Sequence, residues 1–177
     1  VLTCSHCGRD FDVRSDHRKY VSIGVTLCSL TCLRLYVDSR LPLTVADFEG
    51  VGTNMRLPAM NGETYYSVSL GQSFRSEYEG MFAEVMVFGW GWGDIRYENH
   101  VVRLKNTIRK IYIPDFFRET KGVWLEVKGE FLSGSKKKFL LAHEQLQGRV
   151  ILVGPNFYND IRREAMLLRR HRLCSGG

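Results

Sequence analysis

Apolar and polar residues alternate through two neighbouring stretches in the second half of the chain, and the alternation predicts a pair of strands. Residues 113–117 form the first and residues 123–129 the second, with the polar run 118–122 as the hairpin turn between them. On the second strand Glu126 and Lys128 are two positions apart and share a face, whereas Leu125 and Val127 point the other way. Upstream the period changes. Tyr78, Phe82, Val85 and Met86 recur at helical spacing behind Ser76, which stands at an N-cap, and Glu79, which stands in the matching capping-box position. Residues 136–146 predict a second helix that stops at Gly148, residues 149–154 a buried strand, and Ile161, Ala165 and Leu168 an amphipathic C-terminal helix. Residues 43–72 hold scattered Gly and Pro without a sustained period, so they read as a connector, with a turn at 60–63 before a strand at 65–70.

Asp115, Glu126 and Lys128 fall on the predicted strand pair. Two carboxylates held close together can share divalent ions, which polarise a phosphate oxygen and supply hydroxide from bound water, while a lysine steadies charge on the phosphoryl group. A solvated hairpin with alternating charges is the plainer reading of the same residues. The Pro114–Asp115 pair followed by Glu126 and Lys128 resembles the signature of the PD-(D/E)xK nuclease superfamily, which includes restriction enzymes, junction resolvases and transposon nicking enzymes. The resemblance runs over residues 73–155, through the order helix, three strands, helix and strand. It implies an α/β fold with a restriction-endonuclease-like core, a central mixed sheet flanked by helices, and Mg²⁺ or Mn²⁺ as cofactor. Phage and transposon members carry Arg-Ser-x-x-Glu on the preceding helix, a pattern met here by Arg75, Ser76 and Glu79. Glu79 would then be a third metal ligand, or only the cap of its helix; Glu84 lies off that face and is the substitute. By this resemblance Glu79, Asp115 and Glu126 bind the metal, and Lys128 completes the catalytic set.

At the start of the chain, Cys4 and Cys7 pair with Cys28 and Cys32 across a spacer. Two close pairs of thiolates suit a closed tetrahedral zinc site, and a full shell of four leaves no position for substrate water, so the zinc would be structural. His6 and His17 lie nearby as alternatives, and the fifth cysteine, Cys174, leaves an odd count that argues against disulfides. A knuckle followed by a pair on the helix through Leu33, Leu35 and Tyr36 resembles a treble-clef zinc finger. The expected organisation is therefore a finger over residues 1–42, a connector over 43–72 packed on the catalytic domain, and a nuclease domain over 73–177.

A formal net charge of +6 favours a polyanionic partner. Its distribution sharpens this. Lys136, Lys137 and Lys138 cluster at a helix start, and Arg162, Arg163, Arg169 and Arg170 lie on the C-terminal helix; all would contact DNA phosphates. The alternating glycines and tryptophans from Gly89 to Gly93 could stack on unpaired bases or cap the core. No Walker loop, hydrolase elbow or His-Glu-x-x-His helix is present, which excludes nucleotide cofactors of that kind and the usual competing hydrolases. The expectation is a cytoplasmic, phage-type endonuclease selective for branched or junction DNA, with no membrane partner, and with a homodimer required if two symmetric nicks are made. A restriction-type or transposon-type nicking nuclease, and a non-catalytic DNA-binding adaptor on a nuclease scaffold, are the alternatives.

Overall fold

The computed structural model describes residues 1–18, 23–55, 65–105, 111–131 and 134–175. The turn expected at 60–63 lies outside these. The chain begins with a short antiparallel pair, β1 (Leu2–Thr3) and β2 (Asp10–Phe11), followed by helix α1 (Leu30–Asp38). Ser29 caps α1 by accepting the Cys32 amide, so the cap and the cysteine spacing are built from the same turn. β3 (Val51–Thr53) and the hairpin β4 (Tyr65–Ser67) and β5 (Gln72–Phe74) lead into α2 (Glu77–Glu84). A single wider turn, Val85–Gly89, extends α2, its last amide at Trp90 donating to Val85 five residues back.

Then come β6 (Ile95–Tyr97), β7 (His100–Arg103), β8 (Ile111–Tyr112), β9 (Phe116–Arg118), β10 (Val123–Val127), α3 (Ser135–Gln145), β11 (Val150–Val153) and α4 (Tyr158–Ser175). The fold is mixed α/β, with several sheets and, among the described residues, four α-helices. Its main sheet runs β11, β10, β9, β6; β11 is parallel to β10 and the other pairings are antiparallel. β11 is buried along its whole length, as a parallel strand covered on both faces should be. The turn from β9 to β10 requires a glycine: Gly122 has φ +57°, and a Cβ there would meet the Leu43 carbonyl oxygen at 2.3 Å.

Strand alternation divides the interior in two. Val123, Leu125 and Val127 face a core shared with α1, α2 and α4, where Leu33, Met81, Phe82, Ile161 and Ala165 are buried. Trp124 faces the other core, with Phe139 and Ala142 of α3 and with Phe48, whose ring meets it edge-on at 5.1 Å. A second sheet, β3, β7 and β8, covers this side, so residues 43–72 supply Phe48 and a paired strand as well as a connection. The cysteine-bearing segment has no core of its own: Cys4, Cys32, Leu33 and Val37 are buried in the same cluster as Phe82 and Leu125. An ion pair between Arg118 and Asp38 adds a polar tie.

Candidate active site and cysteine cluster

The end of the main sheet gathers charged groups in an otherwise apolar setting. Asp115 precedes β9 and is fully buried; Glu126 ends the polar face of β10, and Lys128 follows that strand. Strand pairing is what places them, because Leu125 lies opposite Phe116 and brings Val127 beside Asp115. The Val127 amide donates to Asp115 Oδ2 at 2.7 Å. Lys128 Nζ is 2.8 Å from Glu126 Oε1 and 3.7 Å from Asp115 Oδ2. Glu126 Oε2 accepts from the Tyr112 hydroxyl at 2.7 Å, which fixes the carboxylate from β8.

Glu79 joins from α2, Arg75 from just before that helix, and Tyr97 and Glu98 from the end of β6. Glu79 is buried, accepts from the Ser76 and Tyr97 hydroxyls, and takes the Arg75 amide at 3.2 Å. It therefore braces the N-terminus of α2 and is also a member of the polar cluster. Arg75 reaches Asp115 Oδ1 at 3.1 Å and is also paired with Glu98. Glu84 points elsewhere, toward Ser67 and Arg169.

Burial, reinforced by the Asp115 charge, raises Glu126 from its ordinary 4.5 to about 7 and raises Glu79 as well; burial also raises Glu98, against the pull of Arg75. Lys128 is raised too, because the Asp115 and Glu126 charges outweigh its desolvation. Four carboxylates face two cations here, so full ionisation would leave two negative charges in a desolvated site. Beside the cluster is an open cleft of about 310 Å³ lined by Arg75, Tyr112, Glu126, Lys128 and, from α3, Lys138.

The four cysteines meet more tightly. Among the described residues they are the one set of three or more Cys, His, Asp or Glu ligand atoms lying within 4.8 Å of one another. All five cysteines of the chain are free thiols. The Cys7 and Cys28 sulfurs are 3.7 Å apart and those of Cys28 and Cys32 3.4 Å, near the ~3.8 Å edge of a tetrahedron with Zn–S bonds of about 2.3 Å. Burial opposes ionisation of Cys4, but backbone amides of Cys7, His6 and Cys28 outweigh it and bring the thiol down to about 6; burial and the neighbouring sulfurs push Cys28 up to about 12. The cluster could hold a structural metal such as zinc. His6 and His17 are outside the set.

No family model, characterised protein or solved structure matches the chain. Its chemistry has to be read from its own geometry.

The predicted phosphate contacts separate once placed in the fold. Lys138 lines the cleft beside the acid cluster, and Lys136 and Lys137 are exposed on the same first turn of α3. Arg162, Arg163 and Arg170 are exposed on α4, around a groove that also holds Met166 and Leu167. Arg169, grouped with them by sequence, is instead committed inward: its Nε donates to Glu84 at 2.7 Å and its terminal nitrogen to the Tyr65 hydroxyl. Trp92 is buried under the Arg118 guanidinium, 4.0 Å from its ring centre, and Trp90 packs edge-on against Phe82, so both rings serve the core. Sequence reading missed Arg75 and Glu98 as members of the cluster, along with Tyr97 and Tyr112. Their one local signal is polar tips at the ends of short apolar strands, a pattern common to many surface loops. No helix among the described residues is long and apolar enough to cross a membrane.

Proposed function

We propose that the protein is a metal-dependent DNA endonuclease of the PD-(D/E)xK type, with Asp115, Glu126 and Lys128 as catalytic residues and Glu79 as the additional acid. The observation that carries this reading is the meeting of Asp115, Glu126 and Lys128 at one end of a mixed sheet, beside a cleft that also presents Lys138. The order helix, strands, helix, strand supports it, as does the placement of Glu79 within the electrostatic reach of Asp115. The oxygen donors suit a hard divalent cation, and the two negative charges that full ionisation would leave match one such ion. Asp115, Glu126 and Glu79 would hold Mg²⁺ or Mn²⁺, which supplies Lewis-acid polarisation of the phosphate and an activated water. Lys128 stays charged and near the carboxylates, positioned to orient water or offset charge on the phosphoryl group. Tyr112 keeps Glu126 turned toward the cleft. Zinc at Cys4, Cys7, Cys28 and Cys32 would fasten a treble-clef turn to the core and perform no chemistry.

Branched or junction DNA is the proposed substrate class, with a restriction-type or transposon-type nicking enzyme as the nearest variant. A non-catalytic DNA-binding adaptor is favoured by one observation: Arg75 and Lys128 already neutralise part of the acid cluster. Cleavage assays separate these readings. Purified protein is incubated with linear, single-stranded, nicked, flapped and four-way-junction DNA in Mg²⁺ or Mn²⁺, beside Asp115→Asn and Glu126→Gln. The expected result is cutting, strongest on branched DNA, that both variants abolish while retaining DNA binding. Binding without cutting by the wild type supports the adaptor, and undiminished cutting by the variants removes the assigned site.

A further inference from the structure

Arg75 precedes the N-cap of α2 and joins two acids from different parts of the chain, Asp115 before β9 and Glu98 after β6. Their burial differs from its own. The Asp115 and Glu98 side chains are 0% and 6% exposed, whereas that of Arg75 is 46% exposed and lines the cleft with Lys128 and Lys138. One terminal nitrogen of the guanidinium therefore holds both buried carboxylates, while almost half of the side chain faces the cleft and solvent.

The two oxygens of Asp115 are not equivalent. Oδ2 accepts the Val127 amide at 2.7 Å, a bond fixed by the strand pairing, and Oδ1 accepts Arg75 at 3.1 Å. Each oxygen keeps a further lone pair, but Oδ1 is faced by Arg75 and Oδ2 by Lys128 Nζ at 3.7 Å, so a cation approaching Asp115 meets one of these two residues first. Lys128 is less able to yield, being 25% exposed and 2.8 Å from Glu126 at the end of the same strand. Guanidinium forks bind carboxylate and phosphate with the same bidentate geometry, so a displaced Arg75 has a ready second partner in a phosphodiester lying in the cleft.

Building on the nuclease reading, we infer that Arg75 is a resident counter-cation: it occupies Asp115 Oδ1 until a divalent ion takes that oxygen, and it then turns to a phosphate of the bound nucleic acid. Arg75 thereby links the two binding events. A phosphate that draws it off Asp115 favours the ion, and the ion favours the phosphate by the same factor. Its role is thus to keep the metal loosely held until substrate is present.

The test is calorimetric titration of the full chain with Mn²⁺, alone and with a phosphorothioate-linked DNA duplex that resists cleavage. Wild-type protein should bind Mn²⁺ about tenfold more tightly with the duplex present. Arg75→Gln should bind Mn²⁺ more tightly than wild type in the absence of DNA, by a similar factor, and should lose most of the coupling. Equal Mn²⁺ affinity in wild type and Arg75→Gln, with coupling intact, overturns the inference and leaves the nuclease reading standing. Absence of Mn²⁺ binding by the wild type, or binding that Asp115→Asn leaves unaltered, overturns both. Far-ultraviolet circular dichroism verifies folding. If Arg75→Gln does not fold, Arg75→Lys replaces it, since its ammonium ends one bond short of the terminal nitrogen that meets both Asp115 and Glu98; it is expected to bind Mn²⁺ alone more tightly than wild type, and wild-type affinity there overturns the inference.

Discussion

Replacing Arg169 by Gln should destabilise the fold by roughly 3 kcal/mol, which would mark this residue as a structural cation. Glu84 closes α2 with its side chain 3% exposed, and it accepts from Ser67 Oγ at 2.6 Å and from Arg169 Nε at 2.7 Å. Arg169 also donates to Tyr65, so one carboxylate and one guanidinium join α2, α4 and β4. Removing the cation leaves Glu84 buried with only a neutral donor. Loss of one partner from a buried pair costs about 3–5 kcal/mol, and the lower end applies because the Arg169 side chain is 34% exposed. For a chain of this size the melting temperature should fall by about 6–12 °C.

Urea unfolding of the full chain, followed by circular dichroism, measures the loss; the denaturant slope should not change. The double variant Glu84→Gln with Arg169→Gln removes the stranded charge along with its partner. It should recover about half or more of the stability lost in Arg169→Gln alone. A loss below about 1 kcal/mol in Arg169→Gln would refute the reasoning, as would a double variant no more stable than Arg169→Gln, because either result denies that an uncompensated buried charge is the cause.

Changing Arg162, Arg163 and Arg170 to Gln, with Arg169 kept, should weaken DNA binding and lower the log–log salt slope by roughly two; fluorescence anisotropy across a salt series reads it, and an unchanged slope moves the DNA path to Lys136, Lys137 and Lys138. Cys4→Ser with Cys7→Ser should release one zinc per chain by metal analysis and lower a single melting transition of the whole molecule, because Cys4 and Cys32 lie in the common core; a separate early transition would show that the first forty or so residues fold apart. Without added divalent ion, stability should fall as pH rises from about 4.5 to about 7, since Glu126 is raised to about 7 and the unfolded chain releases its proton first. The upper bound is roughly 3 kcal/mol, and Glu126→Gln should flatten this part of the urea-stability profile.

The parts of this fold legible in sequence are those decided locally. Ser76 caps its helix because a side-chain oxygen and an amide three residues on are close neighbours in any helix start. The Glu126 and Lys128 face follows from strand alternation, and the cysteine cluster from two short spacings. What escaped was set by distant parts of the chain. Arg75 meets Asp115 across forty positions, and Arg169 meets Glu84 across eighty-five. In sequence, Arg169 is indistinguishable from Arg170 beside it, yet one is spent inside and the other exposed. β3, β7 and β8 were missed for another reason: strands of two to four residues are too short to establish a period.

Sheet geometry also ranks the basic residues that face solvent. Glu126 lies on the α3 side of β10, whereas α4 packs through Ile161 and Ala165 on the opposite side with Leu125. The sheet therefore stands between the cleft beside the acid cluster and most of α4. The two meet only at one edge: β10 and β11 are parallel, Lys128 donates its amide to Val153 at 3.0 Å, and the short turn Pro155–Phe157 starts α4 from that same edge. Arg162 and Arg163 lie within about two turns of it, while Arg170 is roughly 12 Å farther along the helix axis from Arg162. That distance exceeds the Debye length of about 8 Å at physiological ionic strength, so a phosphate leaving the cleft is within reach of the first two arginines and screened from the third. The salt response of α4 should accordingly belong chiefly to Arg162 and Arg163, while Lys138 acts from within the cleft.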